Sequence, residues 1–292
     1  MKELVIISGK GGTGKTTLVS SLAALAEDLV LADCDVDAPD LHLILNPENY
    51  QSEPFFTQVA VRDKEKCEQC GICLDHCRFE AIRDDYSIDP LACEGCGVCE
   101  FVCPRDAIQM EEEVSGYSYL SKTRYGPMAH AELGPGGEAS GQLVTRVKEN
   151  AREIAQETGR ELILIDGSPG IGCPVIATLS NADLALIVTE PTLSGIHDLE
   201  RILQVAQHFG VTSLICINKY DLSEGNSDKI KDLAEKGSVP IVGRIPYDRQ
   251  IVEAMVNGQS IVEYSEGETV DSIVKIWEQV GQHLSSRVAE KQ

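Results

Sequence analysis

Two groups of residues in this 292-residue chain have the types and spacing to do chemistry. The first is Gly9-Lys10-Gly11-Gly12-Thr13-Gly14-Lys15-Thr16, which fits the pattern G-x-x-x-x-G-K-[ST]. Glycines free the backbone to curl so that successive N–H groups point at phosphate oxygens, and a helix starting there adds the positive end of its dipole. Lys15 is expected to reach the β- and γ-phosphates of a nucleotide, and the Thr16 hydroxyl to bind Mg²⁺. A bare Gly-rich turn is the competing reading, but the run sits between a predicted strand and a predicted helix, where a phosphate loop belongs. The second group is cysteine: eight of the eleven lie between residues 57 and 113.

Those eight form two runs of the form C-x₂-C-x₂-C-x₃-C: Cys67, Cys70, Cys73 and Cys77, then Cys93, Cys96, Cys99 and Cys103. The segment starting at Cys67 repeats at Cys93, an offset of 26 residues, which marks a duplicated unit. A pair of zinc sites would also use C-x₂-C pairs, but three successive short spacings, twice over, suit a cubane better. The runs resemble those of two-cluster ferredoxins, in which the fourth cysteine of each run ligates the other cluster. That resemblance implies two [4Fe–4S] clusters, one on Cys67, Cys70, Cys73 and Cys103, the other on Cys93, Cys96, Cys99 and Cys77. Gly71 and Gly97 let the chain wrap closely around the metal. The second run ends in the usual Pro104, whereas Arg78 stands at the matching place in the first.

Around these groups the sequence alternates short apolar runs with amphipathic stretches. Residues 3–8, 29–33, 161–166, 184–189, 213–218 and 239–245 read as strands buried on both faces. Residues 15–27, 142–157 and 196–209 read as helices between them, which predicts an α/β fold, a doubly wound and mostly parallel sheet of the P-loop NTPase kind. The cysteine-rich stretch interrupts the alternation. The domain reading is therefore a first part of the P-loop domain over 1–56, a small α+β ferredoxin-like insertion over 57–113, and the second part over 114–292. Residues 126–141, rich in Gly, Pro and Ala, read as a loop.

The run from Gly9 through Thr17, with its additional Lys10, resembles the deviant phosphate loop of the MinD/ParA/nitrogenase-reductase family of P-loop ATPases. In that family the first lysine reaches the partner's nucleotide across a face-to-face dimer, so the resemblance implies that role for Lys10. It implies further that Asp35 orients the attacking water and Asp33 sits near the metal. Asp166 is implied as a Mg²⁺ ligand through water, and the Gly170 N–H as a γ-phosphate sensor. Asn218 would contact adenine, and the segment holding Pro246 and Asp248 would line the purine from the other side. Each strand-terminal aspartate taken alone is more often a helix or turn cap than a ligand; the case rests on their order. The cofactors implied are ATP, Mg²⁺ and the two clusters, and the partner a second copy or a related ATPase.

A formal charge of −22, from 47 acidic and 25 basic residues, makes nucleic acid and anionic membrane unfavoured partners. The N-terminus shows no secretion signal, and eleven cysteines without one suggest metal ligation in the cytoplasm. Cys34 and Cys216 read as packing residues. Cys173 stands where nitrogenase-reductase-like relatives place an intersubunit cluster ligand, although a structural cysteine is the simpler reading. Val270, Ile273, Val274, Trp277, Val280, Leu284 and Val288 follow helical spacing, with a mixed polar face that includes Arg287. Docking on the core is expected there rather than membrane binding. Three functions compete. The first is a redox protein in which ATP gates electron transfer from the clusters to an unknown acceptor. The second is an iron–sulfur carrier or assembly ATPase, and the third a positioning ATPase of the MinD or ParA sort.

Overall fold

A computed structural model describes residues 1–134 and 139–290, with side chains described as far as Ser285. The strands are β1 (Lys2–Ser8), β2 (Leu29–Asp33), β3 (Glu48–Arg62), β4 (Ile108–Lys122), β5 (Pro127–Leu133), β6 (Leu162–Pro169), β7 (Leu184–Thr189), β8 (Thr212–Asn218) and β9 (Ile241–Ile245). Among the described residues they form one nine-stranded sheet in the order β3-β4-β5-β2-β6-β1-β7-β8-β9. It is parallel from β5 across to β9, while β4 runs antiparallel to both β3 and β5.

Period-two alternation divides the central strands between two cores. In β1, Val5 and Ile7 face one layer and Leu4 and Ile6 the other, all fully buried. The first layer holds α5 (Ser140–Thr158), α6 (Cys173–Leu179), α7 (Leu193–His208) and α8 (Glu224–Lys236). The second holds α1 (Lys15–Leu25), α2 (Leu41–Leu45), α9 (Gln250–Val256), α10 (Ile261–Tyr264) and α11 (Glu268–Glu290). Helix α11 buries Ile273, Ile276, Val280 and Leu284 in this second core, with Trp277 packed against it. Its apolar face is thus docked on the sheet, as expected; the side chains of Arg287 and Val288 lie outside the described residues. No helix among the described residues is long and apolar enough to cross a membrane.

Two stretches depart from the sequence reading. Residues 127–133, expected within a loop, form β5, paired with β2 through Leu31–Met128, Ala32–Ala129 and Asp33–His130. Its Pro127, Ala129, Ala131 and Glu132 have low strand propensity, and pairing between β2 and β4 overrides that propensity. Residues 135–138, also within that expected loop, lie outside the described residues. The second departure is β3 and β4, a 15-residue antiparallel ribbon running from Glu48 opposite Lys122 to Arg62 opposite Ile108. Thr57 and Glu113, the expected ends of the insertion, are paired with each other midway along it. Beyond the ribbon's tip, residues 63–107 carry α3 (Ile72–His76), α4 (Val98–Phe101) and the eight cysteines.

Candidate nucleotide site and cysteine module

The phosphate loop leaves β1 and enters α1 at Lys15. Gly14 has φ of 93°, a left-handed conformation that L side chains avoid, and a Cβ there would lie 2.4 Å from Asn218 Nδ2. That approach lets Asn218 Nδ2 donate to the Thr13 carbonyl at 2.7 Å, tying the end of β8 to the loop. Lys219 Nζ donates to the Gly12 carbonyl at 3.1 Å. A cavity of about 590 Å³ opens over the loop, within the usual range for small-molecule sites. Gly11, Gly12, Gly14, Lys15, Thr16, Thr17, Asp35, Asn218, Pro246 and Asp248 all line it, and Ile251, Val252 and Met255 of α9 add an apolar wall. Asp248 also braces α9 and α11, accepting from the Gln250 N–H at 2.9 Å and from Thr269 Oγ1 at 2.8 Å.

Strand register sets the carboxylates side by side. Asp33, the last residue of β2, pairs with Asp166 within β6, and both are 1% exposed. Asp33 accepts from the Asp35 N–H at 3.1 Å and the Leu41 N–H at 3.3 Å, whereas both Asp166 oxygens lack a hydrogen-bond partner among the described residues. Burial, then the neighbouring Asp166 carboxylate, holds Asp33 well above the usual carboxylate range. Burial pushes Asp166 up to about 7 despite the opposing pull of Lys15. An orphaned buried carboxylate beside a second one calls for a cation, and hard oxygen donors suit Mg²⁺. Thr16, Asp33 and Asp166 fit that ion. Asp35 faces Lys15 Nζ at 3.9 Å, and burial, partly offset by that ammonium, raises it to about 6.

The cysteines sort into two cavities, four to each. Cys67, Cys70, Cys73 and Cys103 line one, with Tyr86, Pro104 and Ile108; Cys77, Cys93, Cys96 and Cys99 line the other, with Phe79, Ile82, Ile88 and Met110. The fourth cysteine of each run has thus crossed to the other's cavity. Gly71 and Gly97 take φ of 85° and 72° at the starts of α3 and α4. Two N–H groups point at sulfur, Ala107 to Cys103 Sγ at 3.3 Å and Ala60 to Cys93 Sγ at 3.4 Å. Among the described residues no group of three or more His, Cys, Asp or Glu converges as a single metal ion requires. Cys34 and Cys216 are fully buried, and burial drives both thiols upward, Cys216 to about 12, which suits packing residues. Cys173 is exposed at the start of α6.

Comparison with known proteins bears on the larger part of the chain. Residues 4–261 match the CobQ/CobB/MinD/ParA nucleotide binding domain family. The chain belongs to that family. This MinD/ParA-type P-loop ATPase is 34% identical over 285 residues to MJ0578 of Methanocaldococcus jannaschii, described as uncharacterized, covering 97% of each. It is 24% identical over 267 residues to the chloroplastic septum site-determining protein minD homolog of Arabidopsis thaliana, spanning 89% of this chain and 68% of that one. Its fold is that of the septum site-determining protein MinD of Pyrococcus horikoshii complexed with Mg-ADP: TM-score 0.60, 19% identity, 96% of this chain and 95% of that one. Taken alone, these matches fit the third of the functions weighed best, although the sequence set it last, and they carry no iron–sulfur description.

In the MinD/ParA-type ATPase as it stands, Lys10 bends back into its own chain. Its Nζ lies 2.6 Å from Glu190 and donates to Ser194 Oγ at 3.1 Å. The Gly170 N–H donates to the Ser8 carbonyl at 2.9 Å. The sequence reading missed Glu190, which also holds Lys219 at 3.1 Å, and the apolar wall from α9. Glu190 follows β7 directly, and a charged residue closing an apolar strand was the available signal.

Proposed function

We propose that the chain is an Mg²⁺-dependent ATPase whose nucleotide cycle gates electron transfer through two [4Fe–4S] clusters held by a module over residues 57–113. The observation that carries the cluster half is the sorting of eight cysteines into two four-cysteine cavities with the fourth ligands exchanged. Bound there, the clusters would store and pass single electrons, while Mg²⁺ at Thr16, Asp33 and Asp166 would neutralise charge developing on the phosphates. The loop N–H groups and Lys15 would hold and orient the triphosphate. Asp35, whose carboxyl burial raises to about 6, would accept a hydrogen bond from the attacking water and take its proton. Lys10 would leave Glu190 to meet the nucleotide of a second subunit, identical or related, so that ATP favours a dimer.

Iron, acid-labile sulfide and zinc analysis of protein purified without oxygen tests this reading. About eight iron and eight sulfide per chain are expected, from two cubanes; zinc in their place overturns the cluster assignment. Two other uses of the same parts have support. Exposed Cys173 favours a cluster carrier, and transfer of iron to an apo-acceptor accelerated by ATP would establish it over electron transfer. The MinD relatives favour a positioning ATPase, for which ATP-dependent localisation in cells, unchanged on replacing the cysteines, would be the outcome.

A further inference from the structure

Residues 123–126 join β4 to β5 at the root of the ribbon, and Arg124 sits in that turn. Its guanidinium has acceptors on three separate segments. Nη1 donates to the carbonyls of Ile44 at 3.2 Å and Leu45 at 3.3 Å, the last turn of α2. Nη2 donates to the Gly258 carbonyl at 3.1 Å, just past α9. Nε and Nη2 together grip the Glu263 carboxylate of α10, at 3.2 and 3.1 Å. The guanidinium also lies over the Tyr125 ring at 4.7 Å, and the Tyr125 hydroxyl reaches Ser260 Oγ at 3.4 Å. Ser260 and Glu263 in turn form the capping box of α10.

Both ends of this grip lead into the nucleotide site. Helix α2 is five residues long and is held at its start by the Leu41 N–H on Asp33, the carboxylate beside Asp166. A displacement at Asp33 therefore has one short rigid element to cross before it meets Arg124. On the other side, α9 supplies Ile251, Val252 and Met255 to the cavity wall, and α1 touches it through Thr17 Oγ1 and Met255 Sδ at 3.4 Å. Meanwhile β4 continues from Lys122 outward to Ile108, five residues from Cys103. Glu48, three residues after Leu45, is paired with Lys122 across the ribbon.

We infer that Arg124 is a positioning residue for the nucleotide site, which locks α2 and, through Gly258 and α10, the α9 cavity wall to the root of the ribbon and so carries nucleotide state into the cysteine module. A planar fork with five donors serves these four acceptor groups at once; an ammonium cannot. The inference rests on the nucleotide reading of the cavity and not on the metal content of the module, so its test is independent of iron.

The test is hydrogen exchange on the full chain, apo and saturated with a non-hydrolysable ATP analogue, alongside steady-state turnover. In the wild-type protein the analogue is expected to slow exchange at the ribbon root, residues 48–52 and 118–122. Arg124→Ala should raise KM for ATP by roughly tenfold, the worth of one charge-assisted hydrogen bond, with kcat changed far less. At saturating analogue its ribbon root should exchange as in the apo state. Arg124→Lys should regain the melting temperature through the Glu263 ion pair without regaining the ribbon response, which a purely structural arginine would not do. Glu263→Gln, which leaves the carbonyl bonds in place, should weaken the response in a chain that folds even if Arg124→Ala does not. A wild-type ribbon indifferent to nucleotide, or one whose response survives Arg124→Lys and Glu263→Gln, overturns the inference.

Discussion

Asp33 and Asp166 are buried side by side with too few hydrogen bonds for two charges, and the Lys15 ammonium only partly offsets the burial of Asp166. Such a pair is destabilising unless a proton or a cation is shared, so ligand binding and local stability are linked at these residues. Lys15 is 6% exposed and lines the cavity over the loop, where we place the phosphates. Lys15→Ala is expected to weaken ATP binding by roughly a hundredfold, the loss of two charge-assisted hydrogen bonds, which titration calorimetry reads. Asp35→Ala should leave that affinity within a few-fold and lower turnover by roughly a hundredfold or more, as removal of a proton acceptor does. Equal losses in affinity and turnover from Asp35→Ala would move that residue from the chemical step to binding.

At the scale of elements, short helices with little burial of their own depend on their fastenings. Burial alone would raise Glu263, but hydrogen bonds from Arg124, Tyr125 and Ser260 bring it down to about 2. A carboxyl depressed on folding contributes stability that is present above its unfolded value near 4.5 and is lost as pH falls toward 2. The stability advantage of the wild type over Glu263→Gln should therefore hold at neutral pH and shrink below about pH 4.5, measured by urea unfolding of both proteins across that range. Helix α11 depends on packing instead. Ile276 is fully buried against Gly243, where a Cβ would come within 2.3 Å of it. Ile276→Ala should cost about 2–5 kcal/mol by leaving a cavity between helix and sheet. A change below 1 kcal/mol would show that α11 is only loosely held.

Across the whole molecule, β3 and β4 run from the sheet out to residues 63–107, which carry the eight cysteines beyond the ribbon's tip. Because Thr57 and Glu113 are paired neighbours, the chain can be closed there by a two-residue Asn-Gly turn. The shortened protein is expected to fold and to keep its ATP affinity within a few-fold, while carrying none of the iron proposed for the full chain. Loss of nucleotide binding on that excision would show that the module supports the ATPase core as well as projecting from it.

The sequence alone was enough for the elements whose pattern is local. Residues 184–189 and 29–33 appear as strands with the predicted ends, because fully buried parallel strands read as unbroken apolar runs. The phosphate loop was equally plain, since glycines and Lys15 must be contiguous to do that work. The ribbon was not legible: β3 and β4 pair over a gap of 45 residues, their faces are largely solvated, and polar strands carry no burial signal. Nor was β5, whose Pro, Ala and Glu residues carry little strand propensity and pair as a strand between β2 and β4. The Arg124 grip, the Lys10–Glu190 pair and the adjacency of Asp33 and Asp166 are decided by register and by loops meeting from distant parts of the chain. Side-chain partners more than a hundred residues apart leave no mark in local spacing, and only the folded sheet brings them within hydrogen-bond reach.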